Sequence, residues 1–299
     1  MSATDIQDPS LEEDQAPPAR KSWFRALLSD RAAALAVIVL GLIVIAAILA
    51  PLIAPHDPNE GTRAVMQPPV WSERGDWVHI LGADGQGRDI LSRVLYGTRL
   101  TLLIGLVAVG IGGVIGSGLG LLSAMYSRID PYLMRLNDML LSFPAILLGL
   151  ALVAVMGPGA APVIIALGIA SVPDCARIAR SIGVSIMGQE FIEAGRAVGL
   201  SDAAIFTRYL LRNAISSIMI FISLRFGQVI LIGAALSFLG LGARPPASEL
   251  GMMAAQGRDF LLFAPHIATI PSVVIFVIVL CANIAGDALR DVLDPRLKS

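Results

Sequence analysis

Glu193-Ala194-Gly195-Arg196-Ala197-Val198-Gly199 lies between two apolar segments, each long enough to cross a bilayer. A charged, helix-prone segment in that position sits in water, where a soluble partner can reach it. Residues 189–198 predict one short helix, with Glu190, Glu193 and Arg196 on a polar side and Phe191, Ile192, Ala194 and Val198 on an apolar one. Gly199 supplies a left-handed stop. Ser201 then predicts the N-cap of a second helix, and Asp202 is favourable in its first turn. The whole of 177–212 thus reads as an inner loop of helix, glycine turn and helix. A helix this short is marginal alone, so it needs a surface to dock on.

The flanking sequence sets the solvent. Only 15% of the 299 residues are charged and 56% are hydrophobic, whereas a soluble domain averages about 25% charged; lipid must be one solvent. Spanning takes about 20 mostly apolar residues. A first span is expected near 32–52 and a second within 100–125. A third and a fourth come from the uncharged run 139–173, which Gly157-Pro158-Gly159-Ala160-Ala161-Pro162 divides. The fourth is weak, because Asp174, Arg177 and Arg180 follow Pro173, and its inner half must pack on protein or reach water. The fifth is expected at 214–238 and the sixth at 267–286.

The fold class is therefore an all-α membrane protein of six transmembrane helices. With the N-terminus inside, inner segments hold 14 Lys and Arg against seven in outer ones, which favours cytoplasmic N- and C-termini. The chain divides into a tail (1–31), a first span with its long outer loop (32–98), and a five-span core (99–299). The acidic tail 1–19 precedes an apolar run too long for a signal peptide. Trp23 and Phe24 suit an interfacial anchor, and Trp71 and Trp77 an ordered outer patch near the headgroups.

Several function classes drop out. A net charge of −1 argues against a nucleic-acid partner. Lys21 and Lys298 are the only lysines, so the chain cannot form a Gly-Lys-Ser/Thr phosphate loop. Cys175 and Cys281 fall in spans and read as packing residues. His56, His79 and His266 are scattered without metal-ligand spacing, so no metal site and no cofactor are expected. No H-E-x-x-H or G-x-S-x-G points to a membrane enzyme. The spans hold too few carboxylates for a proton-coupled carrier.

Two features within the spans call for neighbours. Gly112, Gly116 and Gly120 recur every fourth residue and make one smooth helix face for close packing, widened by Gly110, Gly113 and Gly118. Arg225 sits mid-span, at a cost of at least about 2.5–3.5 kcal/mol on insertion scales. It must face a partner, Asp138 or Asp174, or line a water-filled path.

The loop resembles the EAA motif of permease subunits of bacterial ABC importers, Glu-Ala-Ala-x3-Gly-x9-Ile-x-Leu-Pro. Glu193, Ala194, Gly199 and Leu211 match, while Gly195, Tyr209 and Arg212 replace the second Ala, the Ile and the Pro. From 22 to 297 the order of motifs is similar to the DppC/OppC-type permeases of the dipeptide, oligopeptide and nickel group. Leu81-Gly82-Ala83-Asp84-Gly85-Gln86-Gly87-Arg88-Asp89, Asp138-Met139-Leu140-Leu141-Ser142-Phe143-Pro144, Ser237-Phe238-Leu239-Gly240-Leu241-Gly242 and Gly286-Asp287-Ala288-Leu289-Arg290-Asp291 carry it. The resemblance implies a type I ABC importer permease in a bacterial inner membrane. Its partners would be a second permease, two cytoplasmic ATPases that bind the ATP, and an external binding protein. Glu193 would orient a coupling helix and Gly199 would turn the backbone behind it. Short peptides are the first expectation for cargo; nickel complexes, opines or glutathione are alternatives, and a secondary carrier is a more distant one.

Overall fold

The structure, a computed structural model, describes residues 30–293. The acidic tail, Trp23, Phe24 and the closing Asp294-Pro295 lie outside the described residues. Among the described residues ten α-helices follow in order: α1 (Arg31–Ile48), α2 (Ala50–Ile53), α3 (Ile90–Met125), α4 (Asp130–Leu141), α5 (Ala145–Met156), α6 (Ala160–Met187), α7 (Glu190–Ala197), α8 (Asp202–Phe238), α9 (Leu250–Gly257) and α10 (His266–Leu293). Among the described residues the only β feature is an isolated bridge between Ala83 and Asp89. Helices α1, α3, α6, α8 and α10 are each long and apolar enough to cross a membrane, and α4 with α5 makes a sixth crossing if the bent pair is one span.

That third crossing is broken: α4 and α5 meet at 81°. Pro144 has no N–H to give, and the α region is disfavoured for the residue before it. The 12 residues of α5 rise about 18 Å, short of a hydrocarbon core of about 30 Å, so the apolar run from Met139 does not cross as one straight rod. The fourth crossing behaves oppositely. Helix α6 continues without a break past Pro173 to Met187, and the Pro173 carbonyl accepts a hydrogen bond from Asn137 Nδ2 at 3.2 Å.

The charged C-terminal half of α6 packs on protein. Arg180 donates two bonds of 2.6 Å to the Asp130 carboxylate at the start of α4, which also accepts from the Ser123 hydroxyl of α3. Arg177 reaches Asp138 at 2.7 Å. Residues 177–187 of the expected inner loop are thus helical, with Arg177 and Arg180 paired, and the true connection shrinks to 188–201.

Helices α3 and α6 form the central seam. A Cβ on Gly112 would run into Ser171, one on Gly116 into the Val172 carbonyl and Cys175, and one on Gly120 into the backbone of Ala176 and Arg180. Small residues let the two backbones approach this closely. Gly113 faces Ile222 of α8 instead, while Gly110 and Gly118 meet nothing within 4 Å. Cys175 lies on the seam, and both cysteines are buried and free.

The segment 54–89 is ordered by its own polar groups. The Asp84 carboxylate accepts from Arg88 Nε at 2.8 Å, Arg93 Nη1 at 2.7 Å and the backbone N–H of Gln86 at 2.8 Å. Gly87, at φ +76°, closes this turn, and a side chain there would strike the Thr62 carbonyl. Asp89 then caps α3, its Oδ2 accepting from Ser92 N at 2.8 Å. Trp71 and Trp77 are exposed on the same segment.

Candidate functional site

The connection between α6 and α8 contains one short helix. Gly188 ends α6, Gln189 is extended, and α7 runs for eight residues. Glu190 and Glu193 occupy its first turn and Arg196 its last, the arrangement that complements the helix dipole. Its end is a Schellman motif: Leu200 N–H donates to the Gly195 carbonyl at 3.1 Å and Gly199 N–H to the Arg196 carbonyl at 3.0 Å. Gly199 sits at φ +79°, the left-handed conformation that this stop requires. Ser201, extended, accepts from Ala204 N–H at 3.3 Å, and Asp202 opens α8.

The two faces of α7 differ. Ile192 is 1% exposed and joins Leu121, Ala179, Ile205, Leu210, Ala214 and Ile218 in a cluster under the helix. Gly195 is also buried, with the Leu200 side chain lying where its Cβ would point. The other residues expected on an apolar side behave differently: Ala194 and Phe191 are exposed, and Val198 is 77% exposed. Glu193 projects into water beside them. The helix therefore docks through a two-residue stripe and leaves a mixed apolar and acidic face uncovered.

Tyr209, a departure from the motif, has a physical role. Its ring stacks on Phe191 with centroids 6.1 Å apart and planes at 23°. It lies in a π-helical stretch, Ile205–Leu210, at the base of α8. Arg212 is exposed on the same continuous helix, where the motif's Pro would remove a hydrogen bond.

Deeper in the bundle, Arg225 Nη2 pairs with Asp174 Oδ2 at 2.9 Å, and Nη1 donates to Gln228 Oε1 at 2.8 Å. Of the two partners open to it, Asp174 is the one it meets; Asp138 is taken by Arg177. The Arg225 side chain is 16% exposed and that of Asp174 38%. Asp174→Asn is expected to destabilise the protein by on the order of 2–3 kcal/mol, less than the roughly 3–5 of a fully buried pair broken on one side. The check is the thermal midpoint of the detergent-solubilised protein. It should fall by several degrees in the single variant and recover most of the loss in Asp174→Asn with Arg225→Met.

Residues 116–299 match the family described as binding-protein-dependent transport system inner membrane component, and residues 19–69 match the N-terminal TM domain of oligopeptide transport permease C. The chain belongs to this family of transport permeases. The glutathione transport system permease protein GsiD of Pectobacterium atrosepticum is 42% identical over 283 residues, covering 94% of this chain and 92% of its own. The di/tripeptide transport system permease protein DppC of Pseudomonas aeruginosa is 38% identical over 294 residues, covering 98% and 96%. A solved inward-facing MetNI methionine ABC transporter gives a TM-score of 0.58 at 21% identity, over 68% of this chain and 97% of the other. That likeness concerns the fold.

Two polar groupings of this permease escape a linear reading. Glu249 is 1% exposed; it caps α9 by accepting from Gly251 N–H at 2.9 Å and Met252 N–H at 2.8 Å, and it takes the Thr101 hydroxyl of α3 at 3.2 Å. The other is a histidine pair. His56 and His79, which look scattered in the sequence, converge on Asp89, their rings 4.9 Å apart. His266 stands apart, with Nε2 3.4 Å from the Ala83 carbonyl.

Proposed function

We propose that this permease carries short peptides inward across the bacterial cytoplasmic membrane, as one of two permease subunits driven by two cytoplasmic ATPases and fed by an external binding protein. The observation that carries the reading is α7: two turns of helix, anchored through Ile192 and Gly195, with Phe191, Ala194, Val198 and Glu193 left open. A soluble subunit with an apolar groove and a basic rim fits that face. Movement of such a subunit would push α7 against the cluster beneath it, and through α6 and α8 tilt the bundle. A two-state bundle of this kind switches by rigid movement of packed helices.

In this reading Glu193 orients the helix in the groove, Gly195 and Gly199 shape its end, and Ser201 with Asp202 restarts the chain into α8. Both termini face the cytoplasm. The tail (1–31), the first span with its loop (32–98) and the core (99–299) are distinct working parts. Arg225, with Asp174 and the exposed Gln228, contributes a polar strip to the path shared with the second permease. The high identity to DppC supports di- and tripeptides as cargo. The 42% identity to GsiD favours a second reading, glutathione, itself a γ-linked tripeptide.

The test is purification of the complex through a tag on this chain. ATPase subunits are expected to co-purify, and Val198→Cys is expected to cross-link to them, with Cys175 and Cys281 too buried to interfere. Addition of the binding protein loaded with di- or tripeptides should raise ATP turnover several-fold. Stimulation by glutathione alone would establish the second reading, and absence of any ATPase would sink both.

A further inference from the structure

We propose that His56, His79 and Asp89 form a binding site for a divalent transition-metal ion of the zinc type on the outer face of this permease. The inference is independent of cargo and of coupling. Each residue offers one ligand atom, and the three atoms lie within 4.8 Å of one another. His79 Nδ1 is 3.0 Å and His56 Nδ1 3.8 Å from Asp89 Oδ1. Ligands around tetrahedral zinc, at 2.0–2.1 Å from the metal, stand about 3.3 Å apart; the two distances bracket that value. Two imidazoles and a carboxylate are a donor set that suits zinc and its neighbours.

His79 Nδ1 stands at hydrogen-bond distance, 3.0 Å, from Asp89 Oδ1, and a metal ion entering there takes the place of the shared proton. Asp89 Oδ2 is committed to Ser92, accepting from its N–H at 2.8 Å and its hydroxyl at 2.7 Å, so Oδ1 alone points at the histidines. The Thr62 hydroxyl donates to the Gly87 carbonyl at 2.8 Å. Its oxygen is 3.4 Å from His79 Nε2 and can accept from that nitrogen once an ion holds Nδ1. His56 Nδ1 is buried without any hydrogen-bond partner. A cation between the three atoms satisfies all of them at once.

The surroundings are those of a prepared site. Asp89 and His79 are buried, while the His56 side chain is one-third exposed, leaving a fourth position open to outside water. Ser92 holds two ligands, since its hydroxyl oxygen also accepts from the His56 backbone N–H at 3.1 Å. Hydrogen bonds of this kind orient metal ligands. The ion would clip the chain just beyond α2 to the N-terminus of α3, fastening the first crossing to the second through the outer loop.

The test uses the assembled complex carrying an affinity tag other than oligohistidine. It is stripped with a chelator, reloaded with Zn²⁺, desalted and assayed for metal. The parental complex is expected to retain one zinc more per copy of this chain than His56→Gln, and to melt at a higher temperature with zinc than without. His56→Gln removes no side-chain hydrogen bond, so its melting without zinc should equal the parental value. With Co²⁺, His56→Cys is expected to show a near-ultraviolet thiolate-to-cobalt band that the parental complex lacks, which no purely structural histidine would produce. Equal zinc in the parental complex and His56→Gln, or no cobalt band in His56→Cys, overturns the proposal.

Discussion

Gly116→Val is expected to remove nearly all assembled permease from the membrane, while Gly118→Val leaves it near the parental level. The two positions are two residues apart on α3 and point to opposite sides of it. A Cβ at Gly116 meets the Val172 carbonyl oxygen and the Cys175 Cβ of α6, whereas one at Gly118 meets nothing within 4 Å. Overpacking usually costs about 1–3 kcal/mol because side chains can move aside. Here one obstacle is backbone in the middle of a helix, so α3 and α6 must separate as bodies, and the loss extends to Gly112 and Gly120 on the same face. A cost above about 3 kcal/mol takes a large part of a net stability of about 5–15 kcal/mol. The measurement is the monodisperse peak of a fluorescent fusion after detergent extraction. Equal peaks for Gly116→Val and the parent would refute the close seam, and loss at Gly118 would show that an outward face is also covered.

The seam was legible because its signal is local: small residues at every fourth position of one apolar helix mark the face where a second backbone lies close. The Gly199 stop and the Ser201 cap were legible for the same reason, each being set by two or three neighbouring residues. The number of apolar runs was legible from hydropathy, but their shape was not. Phe143-Pro144 breaks the third crossing, and its signal, the constraint that Pro places on the preceding residue, was outweighed by the length of the uncharged run. Arg177 and Arg180 looked like loop residues because a charge taken alone belongs in water. Their partners, Asp138 and Asp130, are about 40 to 50 residues away in sequence, and only the packing of α4 across α6 brings them together. The meeting of His56 with His79 depends in the same way on a loop that folds back on Asp84. Tyr209 was visible as a departure from a motif, but its stacking on Phe191 depends on the π-helical stretch, which periodicity does not announce.

Gly199→Val is expected to lower uptake by at least about tenfold while the amount of assembled permease stays unchanged. The site isolates one effect. A side chain at Gly199 finds open space, with nothing within 4 Å of the Cβ, and the backbone stands at φ +79°. No clash with the bundle arises, so the penalty is conformational. It is about 1–2 kcal/mol for an ordinary L-residue in the left-handed region, and a β-branched residue is worse placed still. Two turns of helix held by Ile192, Gly195 and the Phe191–Tyr209 stack have little margin over that amount. The Schellman bonds from Gly199 and Leu200 give way, and α7 loses its fixed angle to α8. The clusters in the spans do not include Gly199, so folding is spared. Under the coupling reading, ATP turnover by the complex continues while substrate movement fails. Gly199→Asn separates strain from mere bulk: Asn tolerates the left-handed conformation and should keep most of the uptake, although it is as polar and nearly as large as many residues that would fail. Uptake is followed with labelled substrate in vesicles, alongside ATP hydrolysis in the same preparation. If Val and Asn variants transport equally well, the angle of α7 is not what transmits the stroke.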